Sequence, residues 1–189
     1  MADTSDFRNG FTFNWNGDLW SILEFQHVKP GKGGAFVRSK LKNVRSGKIV
    51  DNTFQAGEKM EAASIERRTY QYLYQDDLGL HFMNLETYEQ LSLPEESVPG
   101  REFIKEGGTL EILFHAETEQ ALTTEIPSSV ELVVTQTDPG LKGDTAQGAT
   151  KPATLESGAV VLVPLFINEG DTIKVTTDKG SYVTRVSTS

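Results

Sequence analysis

At 189 residues, with 37% apolar and 24% charged side chains, the sequence has the make-up of a soluble globular protein and not of a disordered one. It contains no cysteine, which excludes a disulfide framework and a thiolate metal site, and no run approaches the roughly 20 apolar residues that cross a bilayer. Taken as a whole-chain average, the formal net charge of −9 argues against a nucleic-acid partner, yet residues 1–62 sum to +2 and residues 63–189 to −11.

The first block opens with MADTSDFRNG, which lacks a cationic-then-apolar leader pattern, so a reducing cytoplasm is the expected location and no membrane partner is expected. WSILEFQHV (20–28) alternates like a strand. From Ala35, AFVRSKLKNV does the same, with Arg38, Lys40 and Lys42 on one face and Val37 and Leu41 on the other. The two read as a β-hairpin with a long tip, KPGKGG. Residues 29–48 carry seven cations and no acid.

In the tip, Lys29-Pro30-Gly31-Lys32 suits a type II turn, because Pro30 presets φ at the second position and Gly31 supplies a positive φ at the third. Gly33 and Gly34 add further backbone freedom. A Walker loop is excluded, since Lys32 is followed by Gly33 and no glycine precedes Gly31 by five residues. The dinucleotide fingerprint fails too, with Phe36 at its third glycine. Two readings remain for Lys32. It is either an incidental lysine in a flexible tip, or a single ammonium leading a slender loop into a polyanionic crevice.

RSGKIVDNTF predicts a turn at Ser46-Gly47 and then a strand. The pattern resets after AGEKMEAASI, and RRTYQYLYQDDLGLHFMNL predicts a hairpin turning at Asp76-Asp77-Leu78-Gly79. ETYEQLSLPEESV fits a helical piece or a short strand. TLEILFHAE and QALTTEI are strand-like, and a second reset falls at Pro127-Ser128-Ser129. Then come VELVVTQT, a polar loop DPGLKGDTAQGATKP, and three strand-like runs, AVVLVPLFI, DTIKVTT and SYVTRVS. Short strands at close spacing predict an all-β chain of three small barrels, at residues 1–64, 65–127 and 128–189.

Nothing in the residues points to catalysis. His27, His81 and His115 are scattered, and the acid pairs Asp76-Asp77 and Glu95-Glu96 lie in turns or point to opposite sides of a strand. There is no Gly-x-Ser-x-Gly elbow, and no enzyme is expected.

DFRNG, HVKPGKGGAFVRSKLKNVRSGKIVDNTFQAGEK, YLYQDD, FMNLETYEQ and KPATLESGAVVLVPLFINEGDTIKVTTDKGSYVTR, in that order, resemble the bacterial elongation factor P family over essentially the whole chain. The resemblance implies an SH3-like (KOW-type) barrel followed by two OB folds, set in an L like tRNA. It implies a monomeric factor without a cofactor that binds the 70S ribosome between the peptidyl and exit sites. There the tip meets the CCA end of the peptidyl-site tRNA and relieves stalling at consecutive prolines.

By the same resemblance Lys32 is the tip residue that many relatives modify, and Pro30, Gly31, Gly33 and Gly34 shape the tip. Relatives with arginine there are rhamnosylated, whereas those with lysine are lysylated, aminopentanol-modified or bare, so a Lys32-modifying enzyme is a further candidate partner. Lys29, Arg38, Lys40 and Lys42 are candidate RNA-phosphate contacts on the charge pattern, since ionised donors bind phosphate strongly.

In the third block Gly143, Asp144, Thr145 and Gly148 match the family loop that faces messenger RNA in the exit site. Tyr182 and Arg185 match the family's terminal Tyr-x-x-Arg, associated with the small subunit and the tRNA anticodon arm. On their residue types alone Gly143 and Gly148 are turn formers, Asp144 a cap, Tyr182 a core cover and Arg185 an exposed cation. Archaeal and eukaryotic relatives with hypusine at the equivalent lysine generally lack the third domain that this chain keeps. The competing reading is a general single-stranded RNA-binding or chaperone protein, with Phe82, Tyr88, Phe114 and Phe166 as stacking aromatics.

Overall fold

The computed structural model describes residues 1–140 and 148–189, and its regular structure there is strands and three single 3₁₀ turns. No helix among the described residues is long and apolar enough to cross a membrane. The chain divides into two compact units, Met1–Arg68 with Ile112–Thr123 and Thr69–Glu111 with Thr124–Ser189.

The first sheet has six strands: β1 (Ala2–Asp3), β2 (Thr12–Trp15), β3 (Asp18–Val28), β4 (Phe36–Asn43), β5 (Ile49–Gln55) and β6 (Lys59–Ala62), in the order β1-β6-β2-β3-β4-β5. Alternation decides which side chains turn inward. On β4, Val37 and Leu41 are buried while Arg38 and Lys42 are exposed, as their period of two predicts. On β3 a bulge between Ile22 and Glu24 makes Leu23 the extra residue. Ile22 lies opposite Leu41 before the bulge and Phe25 opposite Ser39 after it. The core beneath is aromatic: Phe7, Phe11, Phe13, Trp20 and Phe54 pack with Ile22, Val37, Leu41 and Met60.

The predicted turn at Ser46-Gly47 forms because Asn43, itself buried, accepts the Arg45 and Ser46 amides through Oδ1, both at 2.9 Å. In the same unit Arg68 donates to Glu66 (2.9 Å) and Glu119 (2.7 Å) and lies 4.5 Å over the Phe114 ring. Those hydrogen bonds, Glu66 first, push the Arg68 pKa up and keep its charge.

The second sheet comprises β7 (Ile65–Asp76), β8 (Gly79–Asn84), β9 (Gln90–Leu93), β10 (Thr109–His115) and β11 (Gln120–Glu125), ordered β11-β10-β7-β8-β9. Asp76 pairs with Gly79, giving the expected two-residue hairpin through Asp77 and Leu78. A Cβ on Gly79 would lie 2.2 Å from the Leu93 carbonyl oxygen, so only glycine fits there. The segment ETYEQLSLPEESV holds both a short strand and a 3₁₀ turn: Asn84 Oδ1 caps the turn at Glu86 and Thr87, β9 follows, Pro94 ends it, and Glu95–Ser97 form the 3₁₀ turn.

The third sheet comprises β12 (Ser129–Thr137), β13 (Thr150–Leu155), β14 (Val160–Pro164), β15 (Thr172–Thr176) and β16 (Tyr182–Ser187), ordered β14-β13-β12-β15-β16. Here one expectation is corrected. The polar loop does not run to Pro152, because β13 already begins at Thr150. Lys151 points inward, 6% exposed, and its ammonium donates to the Asp138 carbonyl, while Pro152 faces out opposite Leu162. A buried cation needs such a partner. Leu132, Val134, Leu155, Val163, Ile167 and Ile173 fill the core, and Phe103, from the 3₁₀ turn at Arg101–Phe103, joins it.

Candidate functional site

The tip is what remains between β3 and β4. Val28 pairs with Phe36, so residues 29–35 lie outside the ladder. The type II turn expected at residues 29–32 is absent. Positive φ falls at Gly33 (+105°), not at Gly31, and no backbone hydrogen bond closes residues 29–32. The physical reason is length, since one four-residue turn cannot span this gap, and the reversal is spread over bends at residues 31–33.

Lys29, Gly31, Lys32, Gly33 and Gly34 are exposed, and Pro30 is half-buried. Lys32 has no ion pair or hydrogen bond among the described residues. A Cβ placed on Gly31, Gly33 or Gly34 would meet no atom within 4 Å. Gly33 needs its glycine for its left-handed φ. Among the described residues nothing packs against Gly31 or Gly34, and neither has the left-handed φ that would call for glycine.

Behind the tip the outward side chains of β3, β4 and β5 form cross-strand rows. Gln26, Arg38 and Thr53 make one row, Glu24, Lys40 and Asp51 the next, and Ser21, Lys42 and Ile49 a third. Arg38 lies 5.5 Å over the Phe36 ring. Lys40 Nζ is 3.5 Å from Glu24 Oε2. Arg45 lies 3.8 Å from Asp18 and donates to Gln120 at 3.2 Å. The acid-free run of residues 29–48 is thus met by acids from neighbouring strands. A linear reading missed Glu24 and Asp51, for which only the strand register gives a signal.

Of the second set of candidate residues, Gly143, Asp144 and Thr145 lie outside the described residues. Gly148 is an exposed turn residue with φ +82°. Tyr182 packs half-buried against the third core. Arg185 is more constrained than an exposed cation, with its guanidinium 5.2 Å over Phe166 and Nη1 3.6 Å from Asp171 Oδ2. Asp171, only 2% exposed, also accepts the amides of Asn168 (3.0 Å) and Ser189 (3.2 Å).

The Asn168 amide above all, then the Ser189 amide and Arg185, hold the Asp171 carboxyl below its ordinary range, against burial, which raises it. A folded pKa below the unfolded one gives stability that is complete above the unfolded value and is lost as pH falls through the folded one. As pH falls below about 4, the ordinary carboxyl range, wild type should therefore lose stability faster than Asp171→Asn. Parallel acid melting curves for the two proteins would contradict this.

The aromatics of the competing RNA reading are not all available. Phe82 and Phe114 are buried, and only Tyr88 (71% exposed) and Phe166 (57%) reach solvent. Inward alternation on β8 and β10 removes the other two from any stacking surface.

Comparison with known proteins fits this arrangement. The family models for the elongation factor P KOW-like domain, OB domain and C-terminal domain match residues 3–60, 65–121 and 130–185. Elongation factor P of Salinibacter ruber is 63% identical over 99% of this chain and 97% of its own length. That of Amoebophilus asiaticus is 56% identical over 100% and 99%. Among solved structures, a translation initiation factor eIF-5A family protein from Naegleria fowleri shares the fold, with TM-score 0.50 and 17% identity over 66% of this chain and 96% of that one. A slender hairpin tip ahead of a mixed-charge strand face, in a chain matched end to end by these relatives, places it in the elongation factor P family of translation elongation factors.

Proposed function

We propose that the protein binds the 70S ribosome as a cytoplasmic monomer, between the peptidyl and exit sites, and carries Lys32 to the CCA end of the peptidyl-tRNA. Its working parts are the barrels at residues 1–64, 65–127 and 128–189. Lys29, Arg38, Lys40 and Lys42 meet RNA phosphates. Gly143, Asp144, Thr145 and Gly148 face messenger RNA in the exit site, and Tyr182 and Arg185 meet the small subunit and the anticodon arm.

Proline is a poor donor and acceptor because its ring restricts the reacting geometry. The ribosome performs the chemistry, and the factor adds positioning. Holding the CCA end in a near-attack arrangement is worth several kcal/mol where that arrangement is otherwise rarely visited. The reaction then needs no acid, base or nucleophile from this chain. The Lys32 amine is also the atom at which a modifying enzyme would extend the tip, by a lysyl or aminopentanol group.

The observation that carries this reading is the unforced bareness of Gly31 and Gly34 around an exposed, unpartnered Lys32. Translation of a triple-proline reporter with wild type and Lys32→Ala tests it. The variant should lose about tenfold or more of the rescue, a barrier change of at least ~1.4 kcal/mol. Equal rescue would overturn the proposal.

A further inference from the structure

Three cations point outward from β4, and the sheet treats them differently. Arg38 sits between Gln26 and Thr53, and Lys42 between Ser21 and Ile49. Neither has an ion pair among the described residues. Lys40, midway between them, has a carboxylate on each side: Glu24 across β3, 3.5 Å away, and Asp51 across β5. Glu24, Lys40, Asp51 and Arg38 line one groove across the three strands. The Lys40 and Glu24 side chains are 42% and 74% exposed. An ion pair so wetted adds little to stability, so the arrangement is not explained by folding.

We propose that Glu24 and Asp51 are specificity-determining residues of this face. Glu24 holds Lys40 as an internal counter-ion, Asp51 lies opposite it on β5, and the middle row carries one net negative charge between two cations that have no ion pair among the described residues. Arg38 and Lys42 are four residues apart on the strand, about 13 Å at ~3.3 Å per residue. Phosphates that straddle the middle row are accepted. A flexible single strand laid along β4 brings a phosphate against that row and is rejected. The repulsion acts within the ~8 Å over which physiological salt leaves charges unscreened. Per carboxylate it amounts to about a threefold loss of affinity at ~7 Å in water. Discrimination by an unfavourable element set beside favourable ones is a general route to specificity.

This inference rests on the reading that the face meets RNA phosphates, and the experiment separates the two. Binding of random-sequence single-stranded RNA and of ribosomes carrying peptidyl-tRNA is measured across a salt series, for wild type and two double variants, after thermal melting confirms that each is folded. Glu24→Gln/Asp51→Asn should bind random RNA about tenfold more tightly, with a steeper salt dependence, and should gain several times less on ribosomes. Arg38→Gln/Lys42→Gln should weaken ribosome binding and lower its salt slope by about two. Unchanged random-RNA affinity in the acid variant, or equal gains on both ligands, overturns the specificity proposal alone. An unchanged ribosome salt slope in the cation variant overturns the phosphate-facing reading itself, and the proposal with it.

Discussion

Gly34→Leu should give a protein that folds normally and fails to relieve stalling at consecutive prolines. The position is exposed, its φ is outside the left-handed region, and a Cβ there meets nothing within 4 Å. Exposed substitutions without such constraints change stability by no more than about 0.5 kcal/mol. Inside a narrow cleft the same side chain would widen the tip beside Lys32. Near-attack geometry tolerates little displacement, and a shift of about 1 Å can cost on the order of a hundredfold in rate. Thermal melting and a triple-proline reporter check the two halves of this expectation. Full rescue by Gly34→Leu would show that the tip's slenderness is not used. Gly33→Leu would not separate the cases, because the left-handed φ of Gly33 strains any side chain.

The second large effect is on the base that aims the tip. Phe13 is 0% exposed, with ring centroids 5.9 Å from both Phe7 and Phe11 in stacked arrangements and 5.8 Å from Phe54 edge-on. Ile22, Val37 and Leu41 anchor the β3–β4 hairpin onto the same cluster. Phe13→Ala removes the buried ring and leaves a cavity in a close-packed core, at a cost of about 3–5 kcal/mol. Urea denaturation of wild type and variant measures it. A loss below about 1 kcal/mol would contradict this packing. The hairpin depends on this core for its direction, so rescue by Phe13→Ala should fall at temperatures where wild type remains active.

The period of two was legible wherever a strand has one wet face. It placed Val37 and Leu41 inside and the three cations outside, and the turn residues marked the Asp76–Gly79 hairpin. What stayed hidden depends on neighbours in space. The bulge at Leu23 sets which β3 residue faces Lys40, and no local signal announces it. Glu24 and Asp51 are distant from Lys40 in sequence and meet it only through register. Lys151 and Pro152 look like loop residues, yet the sheet buries the lysine stem and points the proline outward. Phe166 and Asp171, which hold Arg185, lie in and after a stretch that reads simply as apolar strand. Gly31 took the turn role that the structure gives to Gly33, because a loop of this length has more than one way to reverse.

Cryo-microscopy of a 70S ribosome stalled on consecutive prolines with the protein bound gives the most direct measurement of the central claim. The account predicts residues 29–35 inserted beside the peptidyl-tRNA, with the Lys32 amine, or a group extended from it, within hydrogen-bonding reach (about 3 Å) of the CCA end. A tip resolved away from the aminoacyl linkage, in solvent or against another surface, would contradict it.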